Sequence, residues 1–593
     1  MKNYLKEKLD ASLLNSVELV REPSETLLDA DFAVYTENGK TVIYAPIASF
    51  FKEALDKYLS EGELGRDAKY VTDKIYYSDF GAVGDGKNED INSLRSAHEY
   101  ANAAKRHTVY GNKGAKYYIE KTELKPIEIA TSANWEGVEF IIDDRFITDT
   151  EETRLERVGA IFNVIPEYAT SYNKENDPLG IIARINEQGG IKADDTHIPL
   201  NLGFDAMIGL VNTEKTLYKR WDSYSKTTGK GGPQQEVVVV RADNSIDQTT
   251  KTLFPYEGVD RVLITRCDTA PITLKGGRFV TIATREDLHW NYIGRYFRIN
   301  RCNVTIDGMD HYVDNQPLGK PAMKKLSGYE RLIPVTEGGG PNYSGWLFTF
   351  MAHNLLVINT KLCGRAHYNN GSYDIGGSMT NKTVFRNCTQ YNMYDENGQV
   401  YDECHAYWGI HGTNYCKNIE FDNCVFSRFD AHAGVYNVKI TGCKLGKINA
   451  VGGGTILIED TTVHFGNALT LREDYATSWR GDAIFRNVTL DTLGKEVECG
   501  RLVSGSIHNS DYGYDTMIPN VIVDNVKWNK DCIKNFSVMH LPRDASFFDE
   551  NEEKYNHIIP AERVVIRNQE PGYEISVIVA DGTTDLYKEA IFE

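Results

Sequence analysis

The sequence predicts an all-β fold, a right-handed parallel β-helix preceded by a small module that contains helix. Three observations lead there. A pattern of apolar, any, apolar, two small or polar, then one small inward residue recurs from about residue 275 onward. Each copy carries a turn-forming pair at the same register. Polar residues then fall at a fixed distance beyond five successive copies. Short strands repeated this way are the signature of stacked coils, each unable to bury its apolar face alone. An antiparallel sandwich would instead show long period-two strands joined by hairpin turns.

Taken in chain order, residues 1–72 form the N-terminal module. Within it Ile47 to Leu64 places Phe50, Phe51, Leu55 and Leu59 at helical spacing with charges between, so an amphipathic helix is expected. The start, Met1 to Lys8, has charges but no following apolar run, so no secretory signal is expected. No stretch approaches the roughly 20 apolar residues of a membrane span. The expected origin is the cytoplasm, with any extracellular role reached by another route such as host lysis.

The coil is expected over residues 73–545. It opens on Asp79-Phe80-Gly81-Ala82-Val83-Gly84-Asp85-Gly86, whose glycines allow tight turns. Ile91, Leu94, Ala97, Ala101 and Ala104 follow at helical spacing, giving a capping helix at about 88–105 with Asn88 or Asp90 as N-cap. The repeat then reads Val304, Ile306, Met309; Thr383, Phe385, Cys388; Ile419, Phe421, Cys424; Val438, Ile440, Cys443; Ile456, Ile458, Thr461; Ala483, Phe485, Val488; and Val521, Val523, Val526. Leu356, Ile358 and Lys361 fit less well. Steps of 18 to 38 residues between copies fit a rung of about 20 residues with loops inserted in some turns. Asp422-Asn423, Thr441-Gly442, Glu459-Asp460, Arg486-Asn487 and Asp524-Asn525 supply the bends. Residues 546–593 are expected to close the coil. Between about 120 and 300 the repeat cannot be phased.

Composition excludes several function classes. Net charge is −19, from 65 Lys+Arg against 84 Asp+Glu, the wrong sign for a nucleic-acid partner. The ten cysteines show no paired C-x-x-C spacing, which argues against zinc and against a disulfide scaffold. Cys388, Cys424 and Cys443 share one register, where small apolar thiols stack well inside a coil. Aromatics reach 11%, led by 35 Tyr, which suits both strands and sugar faces.

Six residues beyond each register point lie His367, Tyr394, Asp430, Asn449 and Asn467, a polar ladder on one face if the coils align. Asp395, Arg428, His432 and Lys447 lie in or near the same register. Between Asp395 and Cys424 one rung swells into a loop with four carboxylates, Tyr407, Trp408 and His411 among its rings, the composition of a wall beside a sugar groove.

The Asp79 to Asp90 segment resembles the opening of β-helices in the pectate-lyase superfamily. Trp408-Gly409-Ile410-His411-Gly412, Ser427-Arg428-Phe429-Asp430-Ala431-His432 and Leu471-Arg472-Glu473-Asp474-Tyr475 are similar to the β-helix of pre-neck appendage proteins, the tailspikes of short-tailed phages of Gram-positive bacteria. The resemblance runs from about Phe80 to Asn525. It implies a homotrimeric virion appendage, joined to tail or neck proteins through its N-terminal module, that adsorbs to wall teichoic acid and degrades it. The chain departs from the family in showing no obvious C-terminal trimerisation or self-cleaving module.

A glycoside hydrolase needs two carboxylates about 5 Å apart for retention or roughly 6.5–9.5 Å for inversion. Rungs about 4.8 Å apart make Asp395 with Asp430, or Asp430 with Glu473 or Asp474, candidate pairs. A polyglycerol-phosphate substrate would be held by Arg428 and Arg472, with His411 or His432 moving protons. His367, Tyr407, Trp408, Asn449 and Asn467 complete the expected contacts. No cofactor is required; a divalent cation such as calcium would serve a lyase mechanism, and no metal ligands are assigned. Asp430→Asn is expected to abolish activity and leave folding intact. Three readings stand: a depolymerase that cuts wall or capsule polymer, a receptor-binding tail protein that only grips it, and a bacterial polysaccharide lyase or hydrolase.

Overall fold

In the computed structural model, the described residues are 33–37, 40–44, 74–105, 107–148, 150–193, 195–222, 227–229, 231–284, 292–314, 321–325, 332–336, 342–343, 345–364, 373–392, 410–508, 510–542, 558–578 and 586–593. The expected helix at 47–64 lies outside them. Of the N-terminal module they include one antiparallel pair, Ala33–Glu37 with Lys40–Tyr44.

The chain from residue 74 onward is a parallel β-helix. One ladder runs Ile272, Val304, Leu355, Thr383, Ile419, Val438, Ile456, Ala483, Val521, Val564 and Ala590, each residue paired in parallel with the next. All seven well-fitting repeat copies sit on it. The poorly fitting copy is corrected by one residue: Leu355 and Val357 face the core, not Leu356 and Ile358. Strands such as Val304–Asp307, Gly452–Glu459, Trp479–Arg486 and Asn520–Asp524 form this sheet. A second sheet contains Thr462–Val463, Thr489–Leu490 and Lys527–Trp528. A third, the site sheet, contains Tyr373–Ser378, Asn467–Leu471, Val497–Ser504 and Ile533–His540.

The turn pairs behave as their chemistry requires. Asn359, Asn387, Asn423, Asp460, Asn487 and Asn525 adopt left-handed backbone, with φ between 49 and 53°, which Asn and Asp tolerate better than other residues with a Cβ. Their amides bond along the stack, Asn423 Nδ2 to Asn387 Oδ1 and Asn525 Nδ2 to Asn487 Oδ1, both at 2.8 Å. Inside the corner the backbone N–H of Cys424 donates to Cys443 Sγ at 3.3 Å, and that of Cys443 to Thr461 Oγ1 at 3.2 Å. These cysteines are packing elements.

The helix Ile91–Ala104 buries Ile91, Leu94, Ala97 and Ala101 against the first coil. Asp90 is its N-cap residue but makes no capping bond. Its carboxylate instead accepts from Val83 N at 2.7 Å and Tyr118 N at 3.2 Å, tying the glycine-rich opening to the next strand.

The stretch that could not be phased contains an insertion. Between coil strands Phe162–Val164 and Ile272–Ile282, the strands Ala169–Asn173, Ala206–Leu217, Gly232–Val240 and Arg261–Arg266 form an antiparallel sheet beside a short helix, Ile181–Glu187. It has its own core, including Ile185, Ile208, Leu210, Val238, Val240 and Ile264. The coil expected over 73–545 is therefore interrupted here. It also extends past 545, through Ala561–Arg567 and Tyr587–Phe592.

The insertion lies against the coil. Met207 and Val237 pack on Cys302, Met351 and Met379. Lys417 of the coil, buried, bonds Glu236 of the insertion at 3.0 Å and the carbonyls of Thr250 and Lys251 at 3.0 and 2.7 Å.

One buried group opposes folding. Asp374 is 2% exposed, and neither carboxyl oxygen has a hydrogen-bond partner of good geometry, although Gln390 faces it. Burial pushes its pKa well above the ordinary 3.8, with Gln390 opposing the rise. A carboxyl raised in the folded state binds its proton more tightly there than in the unfolded chain, so stability falls as pH rises above the unfolded value. Asp374→Asn is expected to be more stable than the parent at neutral pH. The gap in urea unfolding should widen by about 1.4 kcal/mol per pH unit above about 4, until the folded-state pKa is reached, and close in acid. A pH-independent gap would contradict this.

Candidate functional site

Side chains on the site sheet alternate. Phe429, Ile448 and Leu469 point into the core, so Arg428, Asp430, Lys447, Asn449 and Thr470 point out. The outer ladder runs Gly412, Asp430, Asn449, Thr470, Ser504 and His540. The expected alignment of Asp430 with Asn449 holds. Asn467 does not continue it: three extra residues around the Phe465-Gly466 bend put Thr470 in that place, and Asn467 pairs with Arg501. At Gly412 a Cβ would fall 2.6 Å from the ring of Tyr373, so the missing side chain makes room for that ring.

Asp430 is the centre of the face. It is 1% exposed, and its two oxygens accept from Arg428 and Arg472. Burial alone would raise its pKa, but Arg472 and then Arg428 outweigh it and hold the carboxyl well below the usual range. Arg472 also clasps Asp474, Nε to Oδ1 at 3.0 Å and Nη2 to Oδ2 at 2.8 Å. Burial raises the Asp474 pKa, and the guanidiniums of Arg472 and Arg220 bring it below normal. Arg220, from the insertion, bonds Asp474 Oδ2 at 2.8 Å and stands 5.8 Å from the Tyr475 ring centre.

The backbone that presents Asp474 is a tight 3-10 turn, Glu473–Tyr475, ended by Ala476 and Thr477 in left-handed conformation, φ 72 and 51°. Tyr475 N and Thr477 N both donate to Arg472 O, and Tyr514 Oη donates to Tyr475 O at 2.8 Å. Glu473 faces solvent.

His432 sits between Tyr373 and Tyr475, each ring centre 6.3 Å away, with Nε2 3.9 Å from Asp430 Oδ2, too long for a hydrogen bond. Burial lowers its pKa to about 4 against the pull of Asp430, so it is uncharged at neutral pH. Burial also lowers the Lys447 pKa, helped by Arg428. Asn449 Oδ1 is buried without a hydrogen-bond partner.

Two expectations change. His411 belongs to the core: it is 3% exposed, stacks on Phe429 at 5.7 Å and meets Phe385 and Phe421 edge-on, and burial lowers its pKa to about 3. Its ring therefore faces the core and not the outer face that carries Asp430. Asp430 and Asp474 are unsuited to be general acids, because that role needs a raised pKa. Among the described residues no group of three or more His, Cys, Asp or Glu is placed to hold a metal. His367, Asp395, Tyr407 and Trp408 lie outside the described residues.

No family model matches the chain, and no curated protein does. Solved structures do resemble it. The tailspike protein gp49 of Pseudomonas phage LKA1 is 12% identical, with TM-score 0.40 over 87% of this chain and 84% of that one. The tailspike gp61 of Pseudomonas phage phi297 is 10% identical, with TM-score 0.39 over 84% and 81%. A family 28 exopolygalacturonase of Yersinia enterocolitica is 11% identical, with TM-score 0.33 over 88% and 77%. The assignment of a parallel β-helix stands on the strand register of this chain, and no ligand or chemistry is carried over from these structures. Among the described residues no helix is long and apolar enough to cross a membrane.

Sequence reasoning missed Arg220, which lies 254 residues before its partner Asp474. Tyr475 carries no signal of its own within Leu471-Arg472-Glu473-Asp474-Tyr475, and Tyr373 none beyond its aromatic type.

Proposed function

We propose that this chain is a phage tail appendage that adsorbs to an anionic glycopolymer of the host surface, wall teichoic acid or capsule. The observation that carries the reading is local charge. Arg220, Arg428, Arg472 and Lys447 gather around two carboxylates on one face of a chain whose net charge is −19. The field of the whole chain repels anions, so this local excess of cations serves a specific anionic group. Guanidiniums suit phosphate or carboxylate because they donate two parallel hydrogen bonds. Tyr373, which is only partly buried, supplies a flat surface beside them. The sequence resemblance adds the virion setting: a homotrimer made in the host cytoplasm, attached through its N-terminal module and acting at the bacterial surface.

Arg220 tests the reading, since its side chain is 47% exposed and its loss should spare the fold. Arg220→Ala is expected to weaken binding to purified wall teichoic acid about tenfold, equivalent to about 1.4 kcal/mol, with a weaker salt dependence. Unchanged affinity and salt response would refute the assignment of the face.

A second reading adds cleavage at the same site. Uncharged His432 beside guanidiniums can take the proton of an attacking water as its oxygen bonds phosphorus, and return it to the alkoxide oxygen that leaves as the other P–O bond breaks, while the cations hold the phosphodiester. New phosphomonoester ends in the same incubations would support it. Binding without product across about pH 5 to 8 would set cleavage aside for those polymers.

A further inference from the structure

A second cavity, of about 240 Å³, lies at the seam between the insertion and the coil. The insertion contributes Lys215, Tyr218 and Phe254; the coil contributes Arg480, Tyr514 and Asp515. We propose that this cavity binds one pyranose ring of the polymer, a subsite that neither part of the chain forms alone. It rests on the reading that the ligand is a glycan.

Three features carry the proposal. The rings of Tyr218, Phe254 and Tyr514 pack on one another tilted or edge-on, with centres 5.1 to 6.3 Å apart and planes 51 to 76° from one another, so together they form one continuous aromatic wall of the cavity. Leu217 and Val451 close the floor and are buried. Arg480 and Asp515 at the rim are exposed. Apolar walls below a few charged groups suit a sugar, whose ring carries C–H faces and a belt of hydroxyls.

The guanidinium of Arg480 is held in place for this. Its Nη1 donates to Leu253 O at 3.0 Å and its centre lies 5.4 Å from the Phe254 ring centre. Among the described residues Nη2 donates to none. A planar donor fixed above an aromatic wall can reach a hydroxyl of a ring lying against that wall. The volume is smaller than the roughly 300–1,000 Å³ of sites for drug-sized ligands, which fits one sugar unit and not an oligosaccharide.

Tyr514 links the two sites, because its hydroxyl bonds the carbonyl of Tyr475, the ring beside Arg220. A polymer lying along the seam would place an anionic group at Arg220 and a neighbouring sugar in the cavity.

Saturation-transfer NMR of the full chain with glucose, galactose and N-acetylglucosamine as separate probes tests this. Transfer to ring C–H protons is expected for at least one sugar at millimolar concentration. Phe254→Ala and the exposed Arg480→Ala should each reduce it at least tenfold, with circular dichroism unchanged for Arg480→Ala, while Arg220→Ala leaves it intact. No transfer to any of the three sugars, or transfer that survives both cavity substitutions, overturns the subsite. Loss of transfer in Arg220→Ala would also overturn it as a separate cavity. Teichoic acid binding lost only in Arg220→Ala would leave the anion site standing without the subsite, so the two readings fail separately.

Discussion

Asp430→Asn is expected to lower the unfolding free energy by about 3–5 kcal/mol, the usual consequence of removing one member of a buried ion cluster. The carboxylate is the only described acid that both Arg428 and Arg472 contact. An amide cannot neutralise them, and its NH₂ would direct donors at donors. Arg472 would keep Asp474, but the two guanidiniums would lose the carboxylate that lies between them in a site that is nearly dry. The expectation from sequence alone is an intact fold with lost activity; the ion cluster replaces its first half with a loss of stability. The measurement is the urea midpoint at unchanged m-value. A loss below about 0.5 kcal/mol, the range of ordinary surface substitutions, would show that the cluster is solvated. A triple replacement, Asp430→Leu with Arg428→Met and Arg472→Met, is expected to recover most of the stability and none of the anion binding.

The pH response of this residue is opposite to that of Asp374. Asp430 has its pKa depressed by Arg472 and Arg428 after the opposing effect of burial, so its contribution is present above the unfolded value and is lost as pH falls through the folded one. Because the folded value lies below the ordinary carboxylate range, the clamp persists through mild acid. Asp374→Asn and Asp430→Asn should therefore diverge in sign at neutral pH, though both alter a buried carboxyl of the same sheet, two coils apart.

How much of this could be read in advance depends on whether a residue belongs to the repeat. Val304, Thr383, Ile419, Val438, Ile456, Ala483 and Val521 are legible because each rung buries the same position, and hydrophobic selection acts there once per coil. Asp430 and Asn449 are legible for the same reason, being six residues beyond adjacent corners with no insertion between. Asn467 fails because the bend after Val463 holds extra residues, and a fixed count cannot see them. His411 fails differently. Its chemistry suggests an outward role, yet it pairs with Phe429 and Ile375, both inward, and in-register neighbours decide orientation more firmly than polarity does. The insertion was invisible because its strands, such as Gly232–Val240, pair antiparallel with one another and share no period with the coil. Arg220 went with it.

That dependence makes Lys417 the second sensitive point. Lys417→Met is expected to lower stability by about 3–5 kcal/mol and to loosen the insertion. The ammonium is 3% exposed and bonds Glu236, itself 9% exposed, at 3.0 Å. Burial lowers the Lys417 pKa, and Glu236 opposes that fall. Glu236 in turn accepts from Leu253 N at 2.7 Å and Phe254 N at 3.1 Å, so one ion pair anchors the strand Gly232–Val240 and the loop that carries Phe254. Methionine fills the space but leaves Glu236 as a buried anion without its cation, which is where the cost arises. Hydrogen exchange should rise selectively over residues 206–240, while the coil ladder beyond residue 520 keeps its protection. Teichoic acid binding should weaken at least as much as in Arg220→Ala, because displacement of the insertion removes Arg220 from Asp474 and Phe254 from the seam together. Adding Glu236→Gln removes the stranded charge and is expected to restore part of the stability. Uniform exchange across coil and insertion would mean that the two unfold as one unit, and Lys417 would then be a stabilising residue of the whole chain with no particular hold on the binding face.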